Sequence, residues 1–135
     1  MTGSIPAKFG LLGDVQKVYL DNNELSGAIP SVLGSLEDMT ELRLNNNKFT
    51  GSIPSELGRC FRLINFHAEG NQLTGNIPSH LGRLSDLENL RLHSNSFDGA
   101  IMPPEVCALK DNEALSFIKV DCSPKVTCDC CDDCA

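Results

Sequence analysis

The chain has 135 residues and a formal net charge of −7. This acidic balance argues against nucleic-acid binding and against direct contact with an anionic membrane surface. The chain also lacks an apolar run of about 18 residues, the length that a membrane-spanning helix requires.

A phrase centred on isoleucine recurs every 24 residues. Ile5, Ile29, Ile53, Ile77 and Ile101 mark it, and proline follows the first four. A fixed period of this size predicts a solenoid, in which each turn buries its apolar side only against the neighbouring turns. We therefore expect residues 1–103 to form about four full turns and residues 104–135 to cap them.

Each turn contains a short segment in which apolar and polar residues alternate. The apolar pairs are Val18 and Leu20, Leu42 and Leu44, Phe66 and Ala68, and Leu90 and Leu92. This period of two predicts one short strand per turn, and successive strands should stack as a parallel sheet about 4.8 Å apart. An asparagine follows each strand, at Asn23, Asn47, Asn71 and Asn95. A buried carboxamide donates and accepts hydrogen bonds, so this column should satisfy backbone groups where the chain leaves the strand.

The far side of each turn is predicted to be a brief helical turn. Pro30–Gly34 and Pro54–Gly58 carry proline near the start and glycine at the end, as such turns do. In the third turn Cys60 occupies a leucine position, and Phe66 stands beside the small Ala68. A large residue beside a small one conserves volume, so we expect repacking there and a buried, unreactive Cys60.

The remaining six cysteines crowd the last 29 residues: Cys107, Cys122, Cys128, Cys130, Cys131 and Cys134. A dense, even-numbered cluster predicts disulfides formed in an oxidising compartment, and zinc binding is the alternative in a reducing one. Residues 1–6 have neither the charged leader nor the apolar run of a signal peptide. We therefore expect a fragment of a longer secreted or cell-surface protein.

The end of the solenoid must be covered, because a terminal turn exposes an apolar face. The segment from Leu115 to Val120 is predicted to be the last strand, with Leu115, Ile118 and Val120 facing the core. Six cysteines allow 15 pairings, and the sequence does not choose among them. Our expectation is that Cys107 and Cys122 each bond into the 128–134 cluster and that a third bond closes within it.

The patterns Leu-x-Gly-x-Ile-Pro and Leu-x-x-Leu-x-Leu-x-x-Asn resemble the plant-type leucine-rich repeat of receptor-like kinases and receptor-like proteins. The tail, with Cys107, Cys122 and the cluster from Cys128 to Cys134, looks like the cysteine-rich end of leucine-rich-repeat proteins from diatoms and related algae. The resemblance implies an α/β repeat solenoid with a parallel inner sheet, short helical or 3₁₀ turns outside and a disulfide-rich cap. It further implies protein or peptide recognition on the inner, concave sheet.

The candidate ligand-binding residues point outward from the predicted strands: Tyr19, Arg43, Asn45, His67, Glu69, Arg91 and His93. Arginine and tyrosine are enriched in binding hot spots, and the guanidinium fork fits a carboxylate or sulfate. We therefore expect a protein or peptide ligand with an anionic group. No catalytic or metal-site motif is recognisable, so we expect no enzyme activity, cofactor or metal.

Other functions fit the same pattern. The outward side chains would also suit a plain solvated sheet with cross-strand pairs such as Arg43 with Glu69, in a protein that acts as a spacer. A flat array of small residues can order water and bind ice, and Thr2, Ser26, Thr50 and Thr74 recur at strand-like spacing.

Overall fold

The protein is described by a computed structural model that covers residues 1–112, 114–122 and 125–134, without the side chains of residues 112 and 134. The strands are β1 (Thr2–Gly3), β2 (Lys17–Tyr19), β3 (Glu24–Ala28), β4 (Glu41–Arg43), β5 (Lys48–Gly51), β6 (Asn65–His67), β7 (Gln72–Leu73), β8 (Asn89–Arg91), β9 (Ala100–Ile101), β10 (Phe117–Val120), β11 (Val126–Thr127) and β12 (Asp133–Cys134). The 3₁₀ helices span Ala7–Leu11, Ser31–Ser35, Ser55–Arg59 and Ser79–Arg83, and the α-helix α1 spans Pro104–Asn112.

The five predicted strands belong to one parallel sheet of six, in the order β12-β10-β8-β6-β4-β2. From β2 to β8 the paired residues are 24 apart, as in Val18 with Leu42 and Leu42 with Phe66. The inward side chains of these strands are buried in one continuous core, and Phe66 and Ala68 are both fully buried. The structure thus confirms the solenoid and its parallel sheet.

A buried asparagine links each turn to the turn before it. The Asn71 Oδ1 atom accepts a hydrogen bond from the Phe49 N–H at 3.0 Å, and its Nδ2 group donates to the carbonyls of Leu44 and Ala68 at 3.0 and 3.1 Å. Asn47 and Asn95 make the equivalent bonds. The carboxamide therefore satisfies backbone groups of two adjacent turns inside the core, as the sequence predicts.

Short 3₁₀ helices occupy the predicted helical turns. The proline before each one is extended, and the three-residue backbone bonds that follow, such as Leu33 N–H to Pro30 O at 3.2 Å, close the turn. Successive 3₁₀ helices pack closely, since a Cβ atom added to Gly34 would lie 2.3 Å from the carbonyl oxygen of Glu56. Glycine is required here because only its bare Cα admits the neighbouring turn.

A second parallel sheet, in the order β1-β3-β5-β7, was not predicted. Its paired residues are 22 apart rather than 24, as in Ala28 with Thr50 and Thr50 with Gln72. Positions that are equivalent in the repeat are therefore displaced by two residues, about 6.6 Å along the strand, at each turn. The expected column of threonine and serine is staggered, and the charged Glu24 and Lys48 share its exposed surface.

The C-terminal segment covers the last turn in three ways. Helix α1 buries Val106 and Leu109, and it packs against the 3₁₀ helix Ser79–Arg83. The strand β10 buries Ile118 and Val120 as predicted. It is not the last strand, however, because β12 pairs with it beyond the solenoid.

The tail is tied down by bonds of two kinds. Disulfides join Cys107 to Cys130 and Cys128 to Cys131, and Cys122 is also disulfide-bonded. The side chain of Cys134, the sixth predicted disulfide cysteine, lies outside the described residues. Asp132 accepts hydrogen bonds from the Lys110 ammonium and from the Ile118 N–H, so it links the tail to α1 and β10. Helix α1 runs for nine residues, and nothing helical in the described ranges has the length and apolarity that a bilayer crossing requires.

Replacing Asn71 with alanine should lower the free energy of unfolding by about 2–4 kcal/mol, because buried backbone groups of two turns lose their partner. Asn76→Ala is the matched control, since Asn76 is exposed. Urea unfolding followed by circular dichroism measures both. Equal stability of the two variants would contradict the structural role of the asparagine column.

Cys60 should be the only cysteine that alkylates without a reductant, and only after the protein is unfolded. Burial, with a smaller contribution from Glu37, raises the pKa of the Cys60 thiol to about 11, so the reactive thiolate is scarce in the native state. Intact mass spectrometry after iodoacetamide treatment counts the labelled thiols. Labelling of any tail cysteine would contradict the disulfide-bonded cap.

Candidate functional site: the outward face of the six-stranded sheet

The outward side chains of the six-stranded sheet lie in register. The column of Tyr19, Arg43, His67 and Arg91 is formed by direct strand pairing, and Lys119 of β10 continues it. Asn45, Glu69 and His93 follow two residues later on their respective turns. We call this surface the six-stranded face. It consists of the outward side chains of β2, β4, β6, β8 and β10, together with the residues that lie two positions after Tyr19, Arg43, His67, Arg91 and Lys119.

One end of this face is a closed polar network around Glu41. The Glu41 Oε2 atom accepts hydrogen bonds from the Tyr19 hydroxyl at 2.7 Å and from Arg43 at 3.0 Å, while its Oε1 atom lies 3.1 Å from the Lys17 ammonium. The Arg43 guanidinium also stacks over the Tyr19 ring, 4.5 Å from its centroid. The expected pair of Arg43 with Glu69 is therefore wrong, because Glu41, on the same strand and the same face, takes Arg43 instead.

The electrostatics of this network favour its charged form. The hydrogen bond from Tyr19 holds the pKa of Glu41 below its usual value, and Lys17 and Arg43 act in the same direction against the opposing effect of burial. Glu41 in turn raises the pKa of Lys17. The Glu41 carboxylate is thus charged and paired at neutral pH.

The middle of the face is different, because several of its buried polar atoms lack partners among the described residues. Six buried side-chain atoms have no hydrogen-bond partner within the described ranges: Arg43 Nε, Asn45 Oδ1, His67 Nε2, Glu69 Oε2, Arg91 Nε and His93 Nδ1. A buried polar atom without a partner costs about 1–3 kcal/mol, so such atoms are normally bound to water or to a ligand. These atoms belong to half-buried side chains on three adjacent turns, so this region is the candidate site on the face.

Both histidines in this region are held neutral. Burial lowers the pKa of His67, and the nearby Arg91 and Arg43 add to that effect while Glu69 and Glu41 oppose it. Burial also lowers the pKa of His93, with Lys119 and Arg91 on the same side and Glu69 and Asp121 opposing. The free protein therefore presents neutral imidazoles beside two guanidinium groups at pH 7.

Strand β10 adds residues that the sequence reasoning did not place on this face. Phe117 pairs with Asn89, 28 residues earlier, so the 24-residue period fails at this rung. The Arg91 guanidinium lies over the Phe117 ring at 5.5 Å, and Lys119 is paired with Asp133 at 2.9 Å. The alternation of residues in the segment from Leu115 to Val120 could have predicted these outward positions, which extend the candidate site.

The tail contains the one group of described residues with metal-ligand spacing. The sulfur atoms of Cys107, Cys128 and Cys130 lie within 4.8 Å of one another. All three are in disulfides in this structure, and zinc requires thiolates. The zinc alternative would therefore need a reduced tail.

Known proteins resemble the chain in sequence and in fold. A family model described as Leucine Rich Repeat matches residues 14–36 and 38–60. The ectodomain of the Arabidopsis thaliana membrane receptor kinase GASSHO1/SCHENGEN3, solved in complex with CASPARIAN STRIP INTEGRITY FACTOR 2, is 35% identical with a TM-score of 0.83, over 88% of this chain and 14% of that chain. The present chain thus spans a small part of that ectodomain.

Two further solved structures are also similar to the chain. A chain of the BIR3–SERK2 complex from Arabidopsis thaliana is 32% identical with a TM-score of 0.76, over 95% of this chain and 68% of that chain. A plant ice-binding protein is 27% identical with a TM-score of 0.76, over 90% of this chain and 38% of that chain. No curated protein matches the chain.

Replacing Tyr19 with phenylalanine should raise the pKa of Glu41 toward its ordinary value of 4.5, because the hydroxyl is the largest favourable contact of the carboxylate. The pKa of Glu41 is lowered on folding, so its contribution to stability is present above about pH 4.5 and is lost as the pH falls through the folded-state pKa. Carboxyl-carbon NMR titration measures the shift. An unchanged titration in Tyr19→Phe would contradict the network.

Proposed function

Because the chain belongs to the leucine-rich-repeat family in its plant receptor form, we propose that it is a non-catalytic module that recognises a protein or peptide. The binding surface is the six-stranded face. Two related structures are complexes, one of an ectodomain with CASPARIAN STRIP INTEGRITY FACTOR 2 and one of BIR3 with SERK2, which supports recognition as the role of this repeat type.

The single observation that carries the location is the cluster of unpartnered polar atoms. All six belong to side chains on three neighbouring turns of one sheet, from Arg43 to His93. A buried donor or acceptor costs free energy unless a partner meets it. A ligand with complementary groups recovers that cost on binding, which favours this face over the rest of the surface.

The dimensions of the face suit a short peptide or the edge of a protein. The five strands that define the face, about 4.8 Å apart, span about 19 Å, which an extended peptide of about six residues would cover. Such a contact is near the lower limit of stable interfaces. The central column carries Arg43, Arg91 and Lys119, so the ligand is expected to present an anionic group there.

The location that fits this role is extracellular or at the cell surface. The disulfides Cys107–Cys130 and Cys128–Cys131 form and persist in oxidising compartments. The similarity to the ectodomain of a membrane receptor kinase supports the same location.

Ice binding is the second candidate, supported by the similarity to a plant ice-binding protein. Its surface would be the exposed side of the four-stranded sheet, around Thr50 and Thr74. The two-residue stagger of that sheet and the charged Glu24 and Lys48 interrupt a regular threonine array. We therefore place recognition through the six-stranded face first.

Arg91→Ala and Arg43→Ala should each weaken peptide binding by about 1–3 kcal/mol, or roughly 5- to 150-fold, if both side chains anchor the ligand. The ligands are peptides selected from a displayed random library on immobilised wild-type protein, and the readout is the Kd from isothermal titration calorimetry. Arg59→Ala and Arg83→Ala are matched controls, because both residues are exposed and lie on the 3₁₀ helices.

Equal losses at all four arginines would mean that affinity reflects overall charge, and would contradict the proposed face. The ice-binding alternative has its own signature. Inhibition of ice recrystallisation that survives Arg91→Ala and disappears with Thr50→Glu would favour the four-stranded sheet as the functional surface.

A further inference from the structure

We propose that the tail binds one thiophilic metal ion, such as Zn²⁺, when a dithiol reductant opens its disulfides, and that Cys107, Cys128 and Cys130 supply three of the sulfur ligands. The metal then replaces the Cys107–Cys130 bond as the link between helix α1 and the tail. This site lies outside the six-stranded face, and it does not depend on the proposed function.

The spacing of the sulfur atoms fits a shared metal ion. The Sγ atoms of Cys107, Cys128 and Cys130 all lie within 4.8 Å of one another. Those of Cys128 and Cys130, which are not bonded to each other, are 3.9 Å apart. Two thiolates about 2.3 Å from one tetrahedral zinc ion are about 3.8 Å apart. Cys128 and Cys130 therefore already have the separation of two ligands, and Cys107 needs only to move away from Cys130 to reach it.

Cys131 is the candidate for the fourth ligand. Its sulfur is bonded to that of Cys128, so reduction of this disulfide leaves a thiol beside the other three. Two residues separate Cys128 from Cys131, a spacing typical of structural zinc sites. Four thiolates are a complete ligand set for such a site, and soft sulfur ligands favour Zn²⁺ over Mg²⁺ or Ca²⁺.

Contacts other than the disulfides hold two of the ligands in place. Cys107 belongs to α1, which packs against the solenoid core through the buried Val106. Cys128 directly follows β11, where the carbonyl of Thr127 accepts a hydrogen bond from the Met102 N–H at 2.8 Å. Both cysteines are therefore attached to the solenoid through neighbouring residues.

Cys130 is placed by the chain that follows it. The Asp132 carboxylate accepts hydrogen bonds from the Lys110 ammonium and from the Ile118 N–H, and the Asp132 N–H donates to the Ile118 carbonyl at 3.0 Å. These bonds tie the tail to α1 and β10 two residues after Cys130. The thiols stay close together after reduction, so metal binding requires little further ordering of the chain.

A cavity of about 340 Å³ lies beside the sulfur cluster. Cys107 and Cys130 line it together with Thr127 and Asp129. Both cysteines are also partly exposed. A reductant and a metal ion therefore have a path to the sulfur atoms, which a metal site requires.

The reduction is balanced for each disulfide. One thiolate of the dithiol attacks a sulfur atom of the bond, and the other sulfur leaves as a thiolate. The second thiol of the reductant then displaces the first cysteine and closes its own disulfide, so two electrons pass to the protein. Binding of Zn²⁺ to the four thiols releases their protons and transfers no electrons. The disulfides prevail in an oxidising compartment, and the metal keeps α1 tied to the tail when they are reduced.

Metal content tests the site directly. The protein is reduced with dithiothreitol, freed of the reagent by gel filtration under argon, and mixed with ZnCl₂ before native mass spectrometry. The reduced protein should retain one zinc ion per chain and the oxidised protein none, and CaCl₂ should leave both without metal because Ca²⁺ prefers oxygen ligands. Zinc retained equally by the oxidised protein, or not retained by the reduced one, would overturn the proposal.

Variants of the reduced protein assign the ligands. Cys107→Ser should weaken zinc binding by more than about tenfold in competition with a chelator of known affinity, since changes outside the ligand shell already cost that much. Cys122→Ser is the matched control, because Cys122 also lies in the C-terminal segment but is not part of the sulfur cluster. Equal affinities of the parent and Cys107→Ser, or equal losses in the two variants, would contradict the site.

Cobalt keeps the test decisive if a variant does not fold. Co²⁺ held by tetrahedral thiolates has intense visible and sulfur-to-metal charge-transfer absorption, whereas octahedral Co²⁺ with oxygen ligands absorbs only weakly. The reduced parent protein with CoCl₂ should show the tetrahedral sulfur spectrum, and one equivalent of ZnCl₂ should remove it. A spectrum of octahedral Co²⁺ alone would refute the sulfur site without any variant.

Discussion

The buried asparagine of each turn holds that turn to the one before it. A single turn of this chain cannot enclose a core, so its backbone must leave the strand while still surrounded by apolar side chains. The carboxamide makes this exit tolerable, because Asn71 bonds to Phe49 and Leu44 of the preceding turn and to Ala68 of its own. The same contact recurs at Asn47 and Asn95, so it ties together the turns that carry β2, β4, β6 and β8.

That register determines what the outward side chains can do. The strands from β2 to β8 are paired in a constant register, so residues 24 apart are direct neighbours. The residue types along each column therefore determine its charge and its hydrogen bonds. Where neighbouring columns offer complementary groups, as at Tyr19, Glu41 and Arg43, these side chains pair with one another. Where His67 lies between two arginines, buried polar atoms lack a partner among the described residues.

The sequence was sufficient for features that repeat within one turn. The 24-residue period, the strand alternation, the asparagine column and the 3₁₀ segments each have a local signal, and all of them are present in the structure. The second sheet was missed because its strands reflect how turns stack: Ala28 meets Thr50 only through a 22-residue register that no single turn encodes. Strand β12 was also missed, as was the pairing of β10 with β8, in which partners are 28 residues apart. Both lie after the repeat pattern has ended.

The candidate site was partly accessible in the same way. Alternation identified which residues point outward, but pairing among them depends on side-chain reach across and along strands, so Arg43 pairs with Glu41 and not with Glu69, the example suggested for a solvated sheet. One end of the face has paired polar side chains, and its middle has buried polar atoms without partners among the described residues. This contrast can be seen only in the structure, where all the contacts are present together. Phe117 and Lys119 complete the face from a segment outside the repeats.

The most direct measurement is a crystal structure of the protein bound to a library-selected peptide. The account predicts that the peptide lies on the six-stranded face, across β4, β6 and β8. A peptide bound to the four-stranded sheet or to the 3₁₀ helices, with the six-stranded face still open to solvent, would contradict it.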